Sequence, residues 1–182
     1  MHQDPYLADV FPLPPLIAYR RPPNIRDKLI RAKVPDPPPT RPKRTIPGMK
    51  RCNDCPICPF VTTGQTVKST QTKYSVDINL SVDCQTKNII YMLGCRKCKA
   101  QYIGESHRTL QERFSEHLGY VRNNHTKKAT GEHFTTKGHK QSDMMITIIE
   151  KVHNNSNLFR KQRERMFISK FNTKYKGMNR IT

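Results

Sequence analysis

Apolar and polar positions change rhythm several times along this chain. Residues 88–94 (Asn-Ile-Ile-Tyr-Met-Leu-Gly) form a short apolar run that reads as a strand. A second run starts at Tyr102-Ile103-Gly104, and the stretch between holds Cys95-Arg96-Lys97-Cys98. The simplest arrangement is a two-stranded hairpin with a CxxC in its loop. Thr109-Leu110-Gln111-Glu112 follows as a capping-box pattern that opens a helix over 109–120. On that helix Leu110, Phe114 and Leu118 repeat at i+4 as a buried stripe, with Arg113 and His117 one turn apart at its margin. Residues 121–140 are polar and read as loop plus a short helix around Thr130–Thr136. Met144-Met145-Ile146-Thr147-Ile148-Ile149 is a third strand, rich in β-branched residues. Asn157 is placed to cap a helix running to Phe171. On it Phe167, Ile168 and Phe171 lie at i+3, i+4 and i+7 from Glu164, so that carboxylate shares the inward face. The predicted class is α/β (α+β): a small three-stranded antiparallel sheet flanked by helices, with zinc-binding insertions and a proline-rich N-terminal lead-in.

Proline sets the organisation. All 14 prolines lie at or before Pro59. Each fixes φ and removes a donor, so residues 1–50 read as an extended lead-in with at most one short helix within Asn24–Lys33. Arg41-Pro42-Lys43-Arg44 is either a nuclear-import signal or a solvated basic linker. The expected domains are the lead-in at 1–50, a cysteine-containing segment at 51–87 and a folded domain at 88–182.

Charge narrows the partner. The formal net charge is +19 with a pI near 10.0, which asks for a polyanion, with nucleic acid the first candidate. The chain holds no apolar run near the ~18 residues a membrane span needs. Met1-His2-Gln3-Asp4-Pro5 lacks the basic start and apolar core of a signal peptide. An intracellular protein without membrane contact is expected. The 6 cysteines would then serve metal binding rather than three disulfides of a secreted protein.

Two ligand sets suggest themselves. Cys52-x2-Cys55-x2-Cys58, joined by Cys84 across a hairpin whose strand would be Tyr74–Leu80, could complete a tetrahedral zinc site. Buried or free cysteines are the plain alternative. Cys95 and Cys98 need two further ligands. His133 and His139 offer them at a spacing wide for zinc, but both could be ordinary surface histidines. His107, His125 and His153 have no such pairing and are expected in solvent.

The order Tyr91, Tyr102-Ile103-Gly104, Arg113, His117, Glu164, Asn179 resembles the GIY-YIG nuclease family. The YIG half is literal; the GIY half is Ile89-Ile90-Tyr91, without its glycine. The CxxC inside the hairpin, with His133 and His139 later, looks like the branch found in Penelope-like retroelements. So does Tyr19-Arg20-Arg21-Pro22-Pro23-Asn24, which is similar to the segment between reverse transcriptase and endonuclease there. No polymerase sequence is present.

The resemblance implies a role for each residue. Glu164 would hold Mg²⁺ or Mn²⁺, Arg113 would bind the phosphate, and Tyr91 would act as general base. Tyr102 and His117 would orient the water or relay its proton. Asn179 would hold backbone or substrate. Cys95, Cys98, His133 and His139 would bind structural Zn²⁺. The plain alternatives are a snorkelling Arg113 with a half-buried His117, and a salt bridge from Glu164 to Arg160, Lys161 or Arg113. The expected function is a metal-dependent DNA endonuclease that nicks target DNA for a retroelement, working in the nucleus with a reverse transcriptase module absent here. The rivals are a catalytically retired zinc-containing DNA- or RNA-binding module and a structure-specific repair nuclease of the same fold.

Overall fold

The computed structural model describes residues 19–22, 24–25, 45–136, 138–153 and 156–180. Of the helix expected within Asn24–Lys33 only Asn24 and Ile25 are described, and the basic run 41–44 lies outside the described residues. The chain divides into two units, Met1–Lys43 and Arg44–Thr182, and every element below belongs to the second.

A three-stranded antiparallel sheet forms the centre, ordered β6-β5-β7, with β5 Ile89–Cys95, β6 Gln101–Ser106 and β7 Met144–Lys151. All of β5 is buried. A central strand covered on both faces has no polar side to show, so it reads as a continuous apolar run rather than an alternation. Tyr91 pairs with Gly104 on one side and Ile148 on the other, and a bulge interrupts the β7 pairing between Ile90 and Tyr91.

Helix α1, Leu110–Arg122, starts with the predicted capping box: the Thr109 hydroxyl accepts from the Glu112 N–H, and the Glu112 carboxylate accepts from the Thr109 N–H. Its buried residues are Leu110, Phe114, His117 and Val121. His117 thus takes the inward place expected for Leu118, because i, i+4, i+7, i+11 follows a 3.6-residue period better than a strict i+4 repeat. Helix α2, Ala129–Thr135, packs on α1. Helix α3, Asn157–Phe171, lies against β6 and β5. Its cap is Ser156 rather than Asn157, with the Ser156 hydroxyl accepting from the Phe159 N–H. A short α4, Thr173–Lys176, follows.

The segment before the sheet belongs to the same core. Hairpin β2 (Thr66–Lys68) and β3 (Ser75–Asp77) lies between Cys58 and Cys84 as expected, though β3 is shorter than the alternation of 74–80 suggested. Ile78 still bonds Gln65 across the hairpin, and the chain then enters β4 (Ser81–Val82), parallel to β1 (Gly48–Met49). Val61 bridges Ile146, and the Thr62 N–H donates to the Ile146 carbonyl at 2.9 Å, so this segment covers part of the open edge of β7. Met49, Ile57, Val61 and Val67 share one buried cluster with Ile89–Leu93, Phe114, Phe167 and Phe171. Phe60 meets Phe114 at 5.2 Å and Tyr74 meets Phe171 edge-on at 5.4 Å. The cysteine segment therefore packs on both helices that carry candidate site residues.

Phe171, fully buried between Tyr74 and Phe167, joins this segment to α3. Phe171→Ala should lower the unfolding free energy by about 3–5 kcal/mol, measured by urea titration. A loss below about 1 kcal/mol would mean the two do not share a core.

Candidate active site

Gly104 decides where Tyr91 can lie. A Cβ at position 104 would stand 2.5 Å from the Tyr91 hydroxyl. The glycine of the YIG string thus lets a neighbouring phenol cross the strand backbone. In that position the Tyr91 oxygen receives the Arg113 Nε–H at 2.9 Å and lies 2.7 Å from His117 Nε2. His117 Nδ1 lies 2.9 Å from the Thr130 hydroxyl. Tyr91 and His117 are buried, with 0% and 2% exposure. Tyr102 is partly exposed, its ring 6.4 Å from that of Tyr91 and 5.7 Å from His117. It lines a cavity of about 270 Å³ with Arg113, Glu116, His117, Tyr120, Lys128 and Thr130. A larger hollow of about 330 Å³, beside Ile149–Lys151 and Arg163, contains none of the candidate catalytic residues.

The electrostatics centre on Arg113. Burial opposes its charge, but Tyr91 and Glu116 outweigh that and hold its pKa above the ordinary value. Arg113 Nη1 donates to Glu116 at 2.6 Å, Arg108 donates to the same oxygen at 2.5 Å, and the Tyr120 hydroxyl donates to the other. Glu116 is thereby pulled down to about 2, against the effect of its own partial burial. Burial, with the Tyr102 charge adding to it, raises Tyr91 well above the usual phenol range, and Arg113 only partly offsets this. Burial and then the Arg113 charge lower His117 to about 3. At neutral pH the pair is a phenol and a neutral imidazole.

Glu164 reaches this site from α3. Burial raises its pKa, and the nearby Glu105 carboxylate adds to the rise. A hydrogen bond from the Glu105 backbone and the Arg113 charge oppose it. Arg160, one alternative salt-bridge partner for Glu164, donates to Glu105 at 2.8 Å instead. Asn179 spends its side chain on backbone: it accepts from the Ile103 N–H at 2.9 Å and donates to the Ile103 carbonyl at 2.8 Å. It ties the chain end to the outer edge of β6. The structure thus brings Tyr91, Tyr102, Arg113 and His117 together, with Glu164 beside them and Asn179 behind.

A family model described as the GIY-YIG catalytic domain matches residues 87–179. The chain belongs to the GIY-YIG family. A GIY-YIG catalytic domain is that of an endonuclease acting on DNA, and the Tyr102-Ile103-Gly104 string lies within the matched residues. Among solved structures, the chain is similar to the catalytic domain of the homing endonuclease I-TevI, at 18% identity and a TM-score of 0.45, over 53% of this chain and 100% of that one. No curated protein matches significantly.

Beside its GIY-YIG site the chain assembles two ligand clusters. The sulfurs of Cys52, Cys55, Cys58 and Cys84 lie within 4.8 Å of one another, with separations to Cys58 of 3.6, 3.4 and 3.8 Å. Four sulfurs held at the zinc–thiolate distance of a tetrahedron would stand about 3.8 Å apart. Cys95, Cys98, His133 and His139 also converge, with Cys95 3.4 Å from His139 Nδ1 and Cys98 3.5 Å from His133 Nε2. Tetrahedral zinc predicts about 3.6 Å for sulfur to nitrogen. Both donor sets fit zinc in chemistry and in span. The six cysteines are free and grouped four and two, unlike three disulfides. His107, His125 and His153 are exposed.

Sequence reasoning missed Glu116, Thr130 and the Glu105–Arg160 pair. Glu116 was within reach, being three residues after Arg113 on one helix face. Thr130 was not, because it meets His117 only through tertiary packing.

Two predictions follow from this geometry. Gly104→Ala should displace the Tyr91 hydroxyl and lower the rate of DNA cleavage by about 100-fold, read from initial rates alongside a circular dichroism check of folding. His117 is neutral in the fold to about pH 3, whereas unfolded it takes up a proton below 6.5. Stability should therefore fall with pH across that window, by up to about 1.4 kcal/mol per unit from this group. His117→Gln should show a shallower slope in the same buffers; equal slopes would mean that the folded imidazole is charged.

Proposed function

We propose that this GIY-YIG endonuclease is metal-dependent and nicks DNA at the target site of a retroelement of the Penelope-like kind. The observation that carries metal dependence is Glu164, a partly buried carboxylate set within electrostatic reach of Tyr91, Tyr102 and Arg113. Burying a charge is unfavourable unless it is paired or ligates a cation. Mg²⁺ or Mn²⁺ on Glu164 would supply charge stabilisation for the phosphoryl oxygens and the leaving group.

The chain's own groups do the rest. Arg113 donates to a phosphate oxygen and offsets the charge that develops on it. Tyr102, at the cleft surface, orients the attacking water. Tyr91 takes the proton of that water while passing its own to His117 Nε2. Such a relay requires neither a resting tyrosinate nor a resting imidazolium, both of which burial opposes. The +19 net charge supports DNA as the partner.

The retroelement reading rests on the CxxC within the hairpin, on the His133/His139 pair it meets, and on the Tyr19–Asn24 string. The nick would expose a 3′ hydroxyl from which a linked reverse transcriptase primes, in the nucleus. Both cysteine clusters hold structural zinc in this reading, one pinning the β5–β6 turn to the end of α2.

The test is conversion of supercoiled plasmid to the open-circular form. It should require Mg²⁺ or Mn²⁺ and fall by roughly 100- to 1,000-fold in Glu164→Ala. Undiminished nicking by the variant, or nicking in chelator, would overturn metal dependence at Glu164. Binding without any nicking would favour a retired DNA-binding module.

A further inference from the structure

The hydrogen bonds around Tyr91 and His117 decide which imidazole nitrogen carries the proton. Tyr91 is fully buried, so its phenolic proton needs an acceptor inside the protein. Two groups meet its oxygen, the Arg113 Nε–H and His117 Nε2. A guanidinium only donates. The Tyr91 hydroxyl therefore donates to Nε2, and Nε2 carries no proton. A neutral imidazole then carries its proton on Nδ1. That N–H points at the Thr130 oxygen, 2.9 Å away. Thr130 is itself 2% exposed, so water does not compete for the bond.

Helix α2 is placed to hold this oxygen still. Gly131 packs so closely under the His125 carbonyl that a Cβ there would collide with it. Phe134 is buried, and His133, three residues after Thr130, joins the cluster with Cys95, Cys98 and His139. Arg180 donates to the Thr126 and Lys127 carbonyls and to Glu132, closing the other side.

We propose that Thr130 is a positioning residue: its hydroxyl accepts the Nδ1–H of His117, and so keeps Nε2 bare and aimed at the Tyr91 hydroxyl. Which nitrogen of a histidine is protonated is set by the bond its other nitrogen makes. This inference rests on the reading of Tyr91 and His117 as a proton-relay pair.

The test pairs a spectroscopic readout with a kinetic one on the full chain. Side-chain ¹⁵N NMR of the wild type should show His117 protonated at Nδ1 and bare at Nε2. Thr130→Val, close in shape but without the oxygen, should populate the other tautomer and lower kcat by roughly 10–100-fold with KM unchanged. Thr130→Ser, which restores the acceptor, should recover both signals. Should the Val variant be unfolded, the Ser variant and the wild-type spectrum still decide. A wild-type His117 protonated at Nε2, or a folded Thr130→Val with wild-type tautomer and rate, overturns the proposal. If no protein cleaves DNA, the failure belongs to the nuclease reading, and the NMR result alone judges Thr130.

Discussion

The site depends on one buried contact set: the Tyr91 hydroxyl crossing the backbone of Gly104 to meet Arg113 and His117. Each partner comes from a different element, and each element is shaped to deliver it. The β5–β6 register sets Tyr91 opposite Gly104. The capping box starts α1 where Arg113 and His117 both face the sheet. Because the phenol is out of water, its hydrogen bonds must all be made within the protein, and a small displacement leaves one unmade. This explains why short strings of sequence are spread over so much of the chain yet meet in one place.

Charge around that contact is balanced in layers. Arg113 would be costly to bury alone, and Glu116 offsets it while Arg108 and Tyr120 hold Glu116. Glu105 would repel Glu164, and Arg160 engages Glu105. Removing one member of either group leaves an uncompensated charge on the other. The two cysteine clusters lie at the margins of this arrangement. One joins the residues before β2 to the turn that follows β4, and the other joins the β5–β6 turn to α2.

Much of this was legible from spacing. The continuous apolar run of β5, the capping box and the YIG string each specify local structure. The three strands follow from a hairpin plus a later β-branched run, but the pairing of β7 with β5 rather than β6 does not. The inward face of Glu164 follows from helical period, and the two ligand sets from cysteine and histidine spacing. What spacing could not give is contact between elements distant in sequence. Nothing at Thr130 announces that it meets His117, and nothing at Asn179 shows that its amide closes the edge of β6. His117 was expected at a margin because the apolar residues alone define a stripe that omits it. A histidine satisfied at both nitrogens can occupy an inward position that hydrophobicity does not mark.

The reading proposed for the site has Glu164 act on a phosphate through a single cation while Arg113 donates to the same phosphate directly. The most direct measurement is a crystal structure of the protein with a non-cleavable DNA duplex and Mn²⁺, read by anomalous scattering. One manganese peak is expected against the Glu164 carboxylate, with a DNA phosphate between it and the Arg113 guanidinium. A bound duplex whose phosphates pass Arg113 with no manganese at Glu164, or with the ion held elsewhere, would contradict it.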